Sequence, residues 1–290
     1  MNVLSLFDGM SCGRIALERA GIEVNKYYAS ELDKYAIKVT QENWPETIQL
    51  GDVTKWREWD IDWTSIDLLI GGSPCQGFSF AGKQLAFDDP RSKLFFVYVD
   101  ILNHIKWIRR LAGKTELKFM LENVKMKKEF LNVISEKLGV EPVFINSDLV
   151  SAQNRQRYYW ANWDFEAPED KGITWGDIRE YNAPTCHYYS EKGLEWISRH
   201  SERTGKKLRV WGGNDKCQML EASMFKNYSG QRFFGINDVH GLRYMSLLEC
   251  ERAQTVPDNY TNYVSNTQRY KMLGNGWTVD VIAHIFKSMN

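Results

Sequence analysis

The sequence predicts an α/β protein with a mostly parallel sheet and helices on both faces. Two observations lead to this prediction. Short apolar runs alternate with helix-like segments through residues 1–163, a pattern typical of successive βα units in one sheet. After residue 241 the regular pattern returns, with a helix in "SLLECERAQ" and a final amphipathic segment from Val279 to Phe286.

Seven apolar runs in the first region are predicted as strands. They are 3–7, 24–33, 47–53, 66–74, 117–124, 142–150 and 155–163. The first run is followed by a glycine turn and the helix-like stretch "RIALERAG", whose end Gly21 can cap. Ligands of parallel sheets bind at the carboxyl ends of strands, and the acids and the cysteine considered below are predicted to lie at such ends.

Residues 165–240 break this rhythm and are predicted to form an inserted module. The turn-rich stretches "APEDKG", "EYNAPT", "RTGKK" and "WGGND" occur here. Within 196–216 six basic residues stand against two acids, a balance of +4, with aromatic residues nearby. The same balance is also compatible with a charged surface excursion. We expect one domain from 1–164 and 241–290, and a smaller one from 165–240.

The composition narrows the class of protein. Basic and acidic residues number 37 each, so any contact with nucleic acid requires a local concentration of basic groups. The five cysteines form no CxxC pair, which disfavours a zinc cluster or a disulfide framework and fits a reducing compartment. No secretory signal or membrane span is legible. We expect a cytoplasmic, metal-free monomer that has no membrane partner and is nucleoid-associated if bacterial or phage-encoded.

The turn "FDGMSCG" after the first strand opens a helix, so its backbone N–H groups can face the polar end of a ligand. By itself it is equally compatible with a plain connection. Glu31 is placed to accept from ribose hydroxyls and Asp52 from an adenine amino group, although each acid alone is more often a solvated charge. Together these features indicate an adenosine-containing cofactor. The absence of G-x-G-x-x-G spacing counts against an NAD oxidoreductase.

Cys75 lies in the loop "IGGSPCQGFSFAGKQ" at the end of the fourth predicted strand. Buried cysteines usually behave as small apolar groups, and we assign Cys12 such a packing role. The proline and glycines around Cys75 instead favour a loop that presents the thiol. Reactivity would require a lowered pKa or a nearby proton acceptor.

Four motifs occur in the order found in one enzyme family. They are "SPCQGFSFAGKQ", "ENV" at 122–124, "QNRQR" at 153–157 and "GNGWTV" at 274–279. The chain resembles the DNA (cytosine-5) methyltransferase family over 1–163 and 241–290, and "VLSLFDG" and "RYYWAN" resemble its de novo branch. The resemblance implies a Rossmann-like methyltransferase fold that uses S-adenosyl-L-methionine, yields S-adenosyl-L-homocysteine and carries a small target-recognition domain at 165–240.

The resemblance also assigns catalytic roles. Cys75 matches the nucleophile that adds to C6 of cytosine, so that C5 can capture a methyl group. Glu122 matches the acid that contacts N3 and the amino group, for which it has to be protonated. Arg157 matches the arginine that reaches O2 of the cytosine and the cysteine loop, and Arg155 its neighbour, both predicted on one strand face. Asn123 is expected to shape the loop.

The residues implied at the cofactor are, in chain order, Phe7, Asp8, Gly9, Gly13, Glu31, Leu32, Asp52, Val53, Pro74, Leu94 and Asn275. Among them Phe7 is expected to stack on the adenine. Two positions depart from the family pattern. Leu32 stands where an aromatic residue often follows the ribose acid, which predicts a thinner wall of the adenine site. Gly276 stands where a serine is common.

Double-stranded DNA is the implied partner, and a cognate restriction endonuclease is a candidate second partner. The resemblance places Gln76 in the space left by a base that is extruded from the duplex. It places Ser79, Lys83 and Arg91 on the DNA backbone, and Gly77 and Gly82 at hinges of the loop. In the insert the candidate DNA contacts are Arg199, Arg203, Lys206, Lys207 and Arg209.

Two further functions remain open at this point. A tRNA-directed branch of the same family shares the catalytic residues but carries a Cys-Phe-Thr signature, whereas "TCHYYSEKG" surrounds Cys186 here. A catalytically silent DNA-binding relative would lack the cysteine or the glutamate, and both Cys75 and Glu122 are present.

Overall fold

The computed structural model describes residues 1–74, 93–184, 187–205, 208–229 and 234–289. The chain divides into two compact units. The first comprises 1–146, 156–168 and 279–290, and the second comprises 147–155 and 169–278. No helix in the described ranges is long and apolar enough to cross a membrane.

The strands and helices in these ranges follow the order expected from the sequence. The strands are β1 (Asn2–Leu6), β2 (Lys26–Ser30), β3 (Ile48–Gln49), β4 (Leu68–Gly71), β5 (Lys118–Val124), β6 (Val143–Asn146), β7 (Gln153–Asn154), β8 (Gln156–Ala161), β9 (Arg209–Trp211), β10 (Cys217–Gln218), β11 (Phe234–Asp238) and β12 (Gly241–Arg243). The helices are α1 (Cys12–Arg19), α2 (Lys34–Asn43), α3 (Lys93–Leu111), α4 (Lys128–Leu138), α5 (Trp175–Ile178), α6 (Glu191–Thr204), α7 (Leu247–Ala253), α8 (Asn266–Asn275) and α9 (Val279–Lys287).

The first unit is built on a seven-stranded sheet with the order β3-β2-β1-β4-β5-β8-β6. The pairs from β3 to β5 are parallel, whereas β8 runs antiparallel to both β5 and β6. Leu4, Leu6 and Leu69 belong to a buried cluster that also contains side chains of α3 and α4. The predicted α/β class with a mostly parallel sheet is therefore confirmed.

Most of the predicted strands are shorter in the structure, and two of them differ for a clear physical reason. The third is reduced to β3, since the carboxylate of Asp52 caps a 3-10 helix, Val53–Glu58, by accepting from Thr54 N at 2.9 Å. The last begins at Gln156 and not at Arg155, because Arg155 lies in a break where its carbonyl accepts from Ser147 N. The break separates β7 in the second unit from β8 in the first.

The second unit is organised around a buried ion network. The Arg243 guanidinium donates to Glu249 at 2.7 Å and to Asp238 at 2.5 Å, and all three side chains are almost completely buried. This network connects β11 and β12 to the start of α7. It gives a physical reason why residues 241–278 group with the insert, whereas the sequence-based boundary placed them with the catalytic domain. The target-recognition role of 165–240 stays a prediction.

Gly274 near the end of α8 permits a close approach of two backbone segments. A Cβ at this position would lie 2.2 Å from the carbonyl carbon of Glu221 and 2.3 Å from the amide nitrogen of Ala222. Backbone atoms cannot move aside as a flexible side chain can, so any side chain at position 274 forces the segments apart. The first glycine of "GNGWTV" is thus required by packing.

We predict that Gly274→Ala destabilises the second unit by more than about 3 kcal/mol, because the methyl group overlaps backbone atoms. Gly213→Ala is the matched control, since a Cβ there meets nothing within 4 Å. Urea unfolding followed by circular dichroism measures both variants. Equal midpoints for the two variants would contradict the packing account.

Candidate functional site

A buried ion pair lies on one face of β5 and β8. Arg157 Nε donates to Glu122 Oε1 at 2.7 Å, and the two side chains are 9% and 11% exposed. The antiparallel register pairs Val124 with Arg157 and Glu122 with Tyr159, so Glu122 and Arg157 are diagonal neighbours on one face. Glu122 lies inside β5 with two residues following it, which corrects the expected position at a strand end. The structure thus brings together two of the predicted catalytic residues.

Asn123 fixes the chain just before the segment that contains Cys75. Its buried amide donates to Ser73 Oγ at 3.1 Å, and its own Oδ1 accepts from Val124 N at 2.8 Å. The expected loop-shaping role of Asn123 stays a prediction, since the loop itself lies outside the described residues. Pro74 is the last residue described before the gap, and Cys75 lies outside the described residues, as do Gln76, Gly77, Ser79, Gly82, Lys83 and Arg91.

The Arg155 side chain forms hydrogen bonds with backbone carbonyl groups of the second unit. Its guanidinium donates to the carbonyl oxygens of Leu220 at 3.2 Å, Gly274 at 3.3 Å and Gly276 at 2.8 Å. These bonds hold the turn that carries Asn275. Arg155 and Arg157 were expected on one strand face, but the break before β8 puts them in different compact units with different partners.

The glycine turn after β1 is held in an unusual backbone conformation. Phe7, Gly9 and Ser11 have φ angles of 57°, 60° and 60°, in the left-handed region that non-glycine residues rarely adopt. Gly9 N donates to Glu31 Oε2 at 2.8 Å, and Oε1 of the same carboxylate accepts from Leu32 N and Asp33 N at 2.8 Å each. Glu31 is therefore oriented by three backbone donors at the end of β2.

The Asp8 carboxylate turns inward from this loop. Oδ1 accepts from Tyr27 Oη at 2.7 Å, and Oδ2 accepts from the Ser11 hydroxyl. Ser11 Oγ in turn lies 2.9 Å from Thr40 Oγ1 on α2. Burial raises the pKa of Asp8 to about 6, with the charge of Glu31 acting in the same direction and the hydrogen bonds opposing it.

The remaining cofactor candidates divide into apolar and polar groups. Phe7 and Leu94 pack against the buried cluster that contains Val53. Asp52 accepts both bonds from Thr54 with Oδ1, and these bonds hold the pKa of Asp52 below its usual value. The Leu32 side chain is 69% exposed, and this residue supports Glu31 through its backbone N–H. Gly13 is buried in the first turn of α1.

The described cysteines, Cys12, Cys217 and Cys250, are buried and form no disulfide with one another. The packing role assigned to Cys12 is consistent with its burial. Burial raises the pKa of Cys217 to about 12 and holds that of Cys250 well above its usual value. Such thiols are poor nucleophiles, so within the described ranges no cysteine rivals Cys75.

Part of the predicted DNA-contacting set lies on α6. Arg199 is exposed on this helix, and Arg203 donates to His200 Nδ1 at 3.1 Å. The Trp196 and His200 rings stack with centroids 4.8 Å apart. Arg209 is exposed on β9, whereas Lys206 and Lys207 lie outside the described residues.

Several residues that shape this site were missed in the sequence. Tyr27 and Ser11 hold the Asp8 carboxylate, and Thr40 contacts Ser11 in turn. A tyrosine inside an apolar strand and a threonine inside a helix carry no local signal, and neither does the positive φ angle of Ser11. Ser73 was part of a quoted motif without an assigned role.

Comparisons with known proteins find relatives that are similar in sequence over most of the chain. A family model described as "C-5 cytosine-specific DNA methylase" matches residues 1–290. "Type II methyltransferase M.HpaII" of Haemophilus parainfluenzae is 30% identical, over 96% of this chain and 86% of that protein. "Orphan methyltransferase M.Rho11sI" of Bacillus phage rho11s is 36% identical, over 81% of this chain and 45% of that protein.

Solved structures share the fold at lower identity. The Entamoeba histolytica methyltransferase EhMeth superposes with a TM-score of 0.77 at 18% identity, covering 100% of this chain and 97% of that one. A Spodoptera frugiperda DNMT2 mutant superposes with a TM-score of 0.73 at 20% identity, covering 99% of both chains.

We predict that lowering the pH from 7 to 5 stabilises the protein relative to Asp8→Asn by about 1 kcal/mol. The folded pKa of about 6 exceeds the unfolded value of 3.8, so the folded state binds more protons in this window and gains stability as the pH falls. The asparagine variant lacks this titration and controls for all other carboxyl groups. A stability difference independent of pH, measured by urea unfolding, would exclude a raised pKa of Asp8.

Proposed function

The chain belongs to the C-5 cytosine-specific DNA methylase family, and from this premise we propose a specific DNA reaction. The enzyme extrudes a cytosine from double-stranded DNA, bonds covalently to it, and transfers a methyl group to C5 within a short sequence. The observation that supports this proposal most strongly is the buried pair of Glu122 and Arg157. Extrusion is required because a stacked base exposes neither face of its ring to the reacting groups.

In the proposed reaction the Cys75 thiolate adds to C6 of the extruded cytosine. The electron pair displaced from the C5–C6 bond makes C5 nucleophilic, and C5 then takes the methyl group. Removal of the C5 proton by a base and departure of the thiolate restore the aromatic ring. Asn123 supports this step by holding Ser73, two residues before the nucleophile.

Glu122 and Arg157 act on the polar edge of the same base. In the proposed reaction Glu122, charged in its pair with Arg157, takes up a proton from solvent as the base binds and then donates a hydrogen bond to N3, where negative charge develops after addition of the thiolate. Arg157 orients the carboxyl group through Nε, and its guanidinium donates to the O2 atom of the cytosine in the proposed reaction. Its Nη1 also donates to the Gln156 carbonyl, which fixes the guanidinium plane.

The residues at the ends of β1 to β3 fit S-adenosyl-L-methionine. This cofactor supplies the electrophilic methyl group and leaves as S-adenosyl-L-homocysteine. Glu31 is held by three backbone N–H groups, and its remaining lone pairs accept from ribose hydroxyls. Oδ2 of Asp52 is available for the adenine amino group, since its two bonds to Thr54 use Oδ1. Phe7 and Leu94 provide apolar contact.

The insert at 165–240 selects the DNA target. Arg199 and Arg209 are exposed and suit contacts to phosphates or base edges. One of the relatives is named a type II methyltransferase, and another is named an orphan methyltransferase. We therefore propose a cognate restriction endonuclease as a second partner, and a nuclease gene beside the gene of this chain would support this proposal.

Expression in a host that lacks cytosine methylation, followed by bisulfite sequencing of genomic DNA and of tRNA, tests the function. We expect 5-methylcytosine in one short DNA sequence and none in tRNA. Methylation confined to tRNA would support the tRNA-directed alternative. No methylation of either, together with DNA binding, would support a silent relative.

We predict that Cys75→Ser abolishes methyl transfer and leaves affinity for S-adenosyl-L-homocysteine within about twofold, because the nucleophile does not hold the cofactor. Cys12→Ser is the matched cysteine control, since the Cys12 thiol is buried in α1. Tritium transfer measures turnover and calorimetry measures binding. Turnover retained by the serine variant refutes the assignment.

We predict that Asp52→Asn raises the Kd for S-adenosyl-L-homocysteine roughly tenfold, equivalent to one lost polar contact. Asp62→Asn is a close control, because Asp62 makes the same pair of bonds to Thr64, at 3.0 and 2.7 Å, in a second 3-10 turn. Each variant weakens the cap of its own 3-10 turn, but only Asp52→Asn is expected to weaken binding of the cofactor. Similar Kd values for the two variants would contradict the role of Asp52.

A further inference from the structure

We propose that Asp8 is a positioning residue for the cofactor site, acting through Gly9 and Glu31 instead of contacting the cofactor itself. This inference rests on the proposed function and deepens it. The resemblance placed Asp8 among the cofactor contacts, whereas both of its carboxylate oxygens are engaged inside the protein, one by Tyr27 and one by Ser11.

The loop that Asp8 holds has a backbone cost. Left-handed φ angles at the non-glycine residues Phe7 and Ser11 each disfavour the folded conformation by roughly 1 to 2 kcal/mol. A strained conformation persists only where surrounding bonds hold it. Asp8 supplies two of these bonds, to Tyr27 and Ser11, and its backbone N–H donates to the Ser30 carbonyl at 3.2 Å.

Asp8 is connected to Glu31, the acid expected at the ribose of the cofactor, through the next residue, Gly9. Gly9 N donates to Glu31 Oε2 at 2.8 Å, so the position of the loop determines whether this donor meets the carboxylate. Phe7, the aromatic residue expected at the adenine, lies on the other side of Asp8 in the same loop. One side chain thereby sets the geometry of two groups that contact the cofactor.

The bonds also extend to α2. Ser11 Oγ is 2.9 Å from Thr40 Oγ1, and Thr40 is fully buried. The chain Tyr27, Asp8, Ser11 and Thr40 therefore ties β2 and α2 to the loop that opens α1. Tyr27 and Thr40 have no contact role in the proposed reaction, so we assign their influence on the cofactor site to the bonds that run through Ser11 and Asp8.

The variants Asp8→Ala and Asp8→Asn test the inference. The alanine variant loses both bonds, and we expect the Kd and KM for the cofactor to rise roughly tenfold while kcat at saturation stays within about threefold. The asparagine variant keeps an oxygen for Tyr27, and its NH₂ donates to Ser11, so we expect affinity within about threefold of the wild type.

Combining the Asp8 variant with a Tyr27 variant distinguishes a positioning role of Asp8 from a general loss of stability. Tyr27→Phe should raise the Kd in the same direction by a smaller factor, and adding it to Asp8→Ala should cause little further loss. Asp62→Ala, which removes a cap in the 3-10 turn Trp63–Ser65, is the stability control and should leave the Kd unchanged.

Calorimetric titration with S-adenosyl-L-homocysteine and steady-state methyl transfer give the two readouts. Binding by Asp8→Ala as tight as by the wild type would overturn the inference, and so would a fall in kcat without a change in KM. Failure of the wild-type protein to bind S-adenosyl-L-homocysteine would instead refute the proposed function, so the two failures are distinguishable.

Discussion

The antiparallel pairing of β8 with β5 is the constraint on which the proposed chemistry depends. Its register places Arg157 diagonal to Glu122 on one face, with their charged atoms 2.7 Å apart and almost buried. A buried ion pair is rarely the most stabilising choice, because well-packed apolar side chains avoid the cost of removing two charges from water. The pair is therefore better explained by hydrogen bonding to a polar ligand than by a contribution to the stability of the fold. The edge of a flat base offers hydrogen-bonding groups that match the two side chains.

The cofactor end of the sheet relies on a different device. Three parallel strands end near residues that carry donors and acceptors, and backbone N–H groups orient Glu31 in advance. Fixed groups of this kind avoid the entropic cost of ordering a side chain during binding. Two non-glycine residues of the loop adopt left-handed φ angles, which is energetically unfavourable. The hydrogen bonds of the inward Asp8 carboxylate offset this strain.

Much of this architecture was predictable because strand periodicity and turn residues are local signals. The parallel strands followed from these signals, and the family motifs singled out Glu31, Asp52, Glu122 and Arg157. The ion pair between Glu122 and Arg157 was not predicted, because it depends on the register of two strands that are distant in the sequence. The separation of Arg155 from Arg157 was not predicted either, since a one-residue break between β7 and β8 depends on tertiary contacts. The grouping of 241–278 with the insert likewise depends on the ion network of Arg243, Asp238 and Glu249, which joins residues on both sides of the boundary expected at 240.

The central claim is that Glu122 and Arg157 act as one unit on the same base, and a double-mutant cycle tests it most directly. The rate of covalent adduct formation is measured on DNA containing 5-fluorocytosine, with cofactor at saturation, for the wild type, Glu122→Gln, Arg157→Lys and the double variant. The account predicts that the double variant is about as slow as the slower single variant, because either change breaks the unit. Rate losses that multiply independently would contradict it.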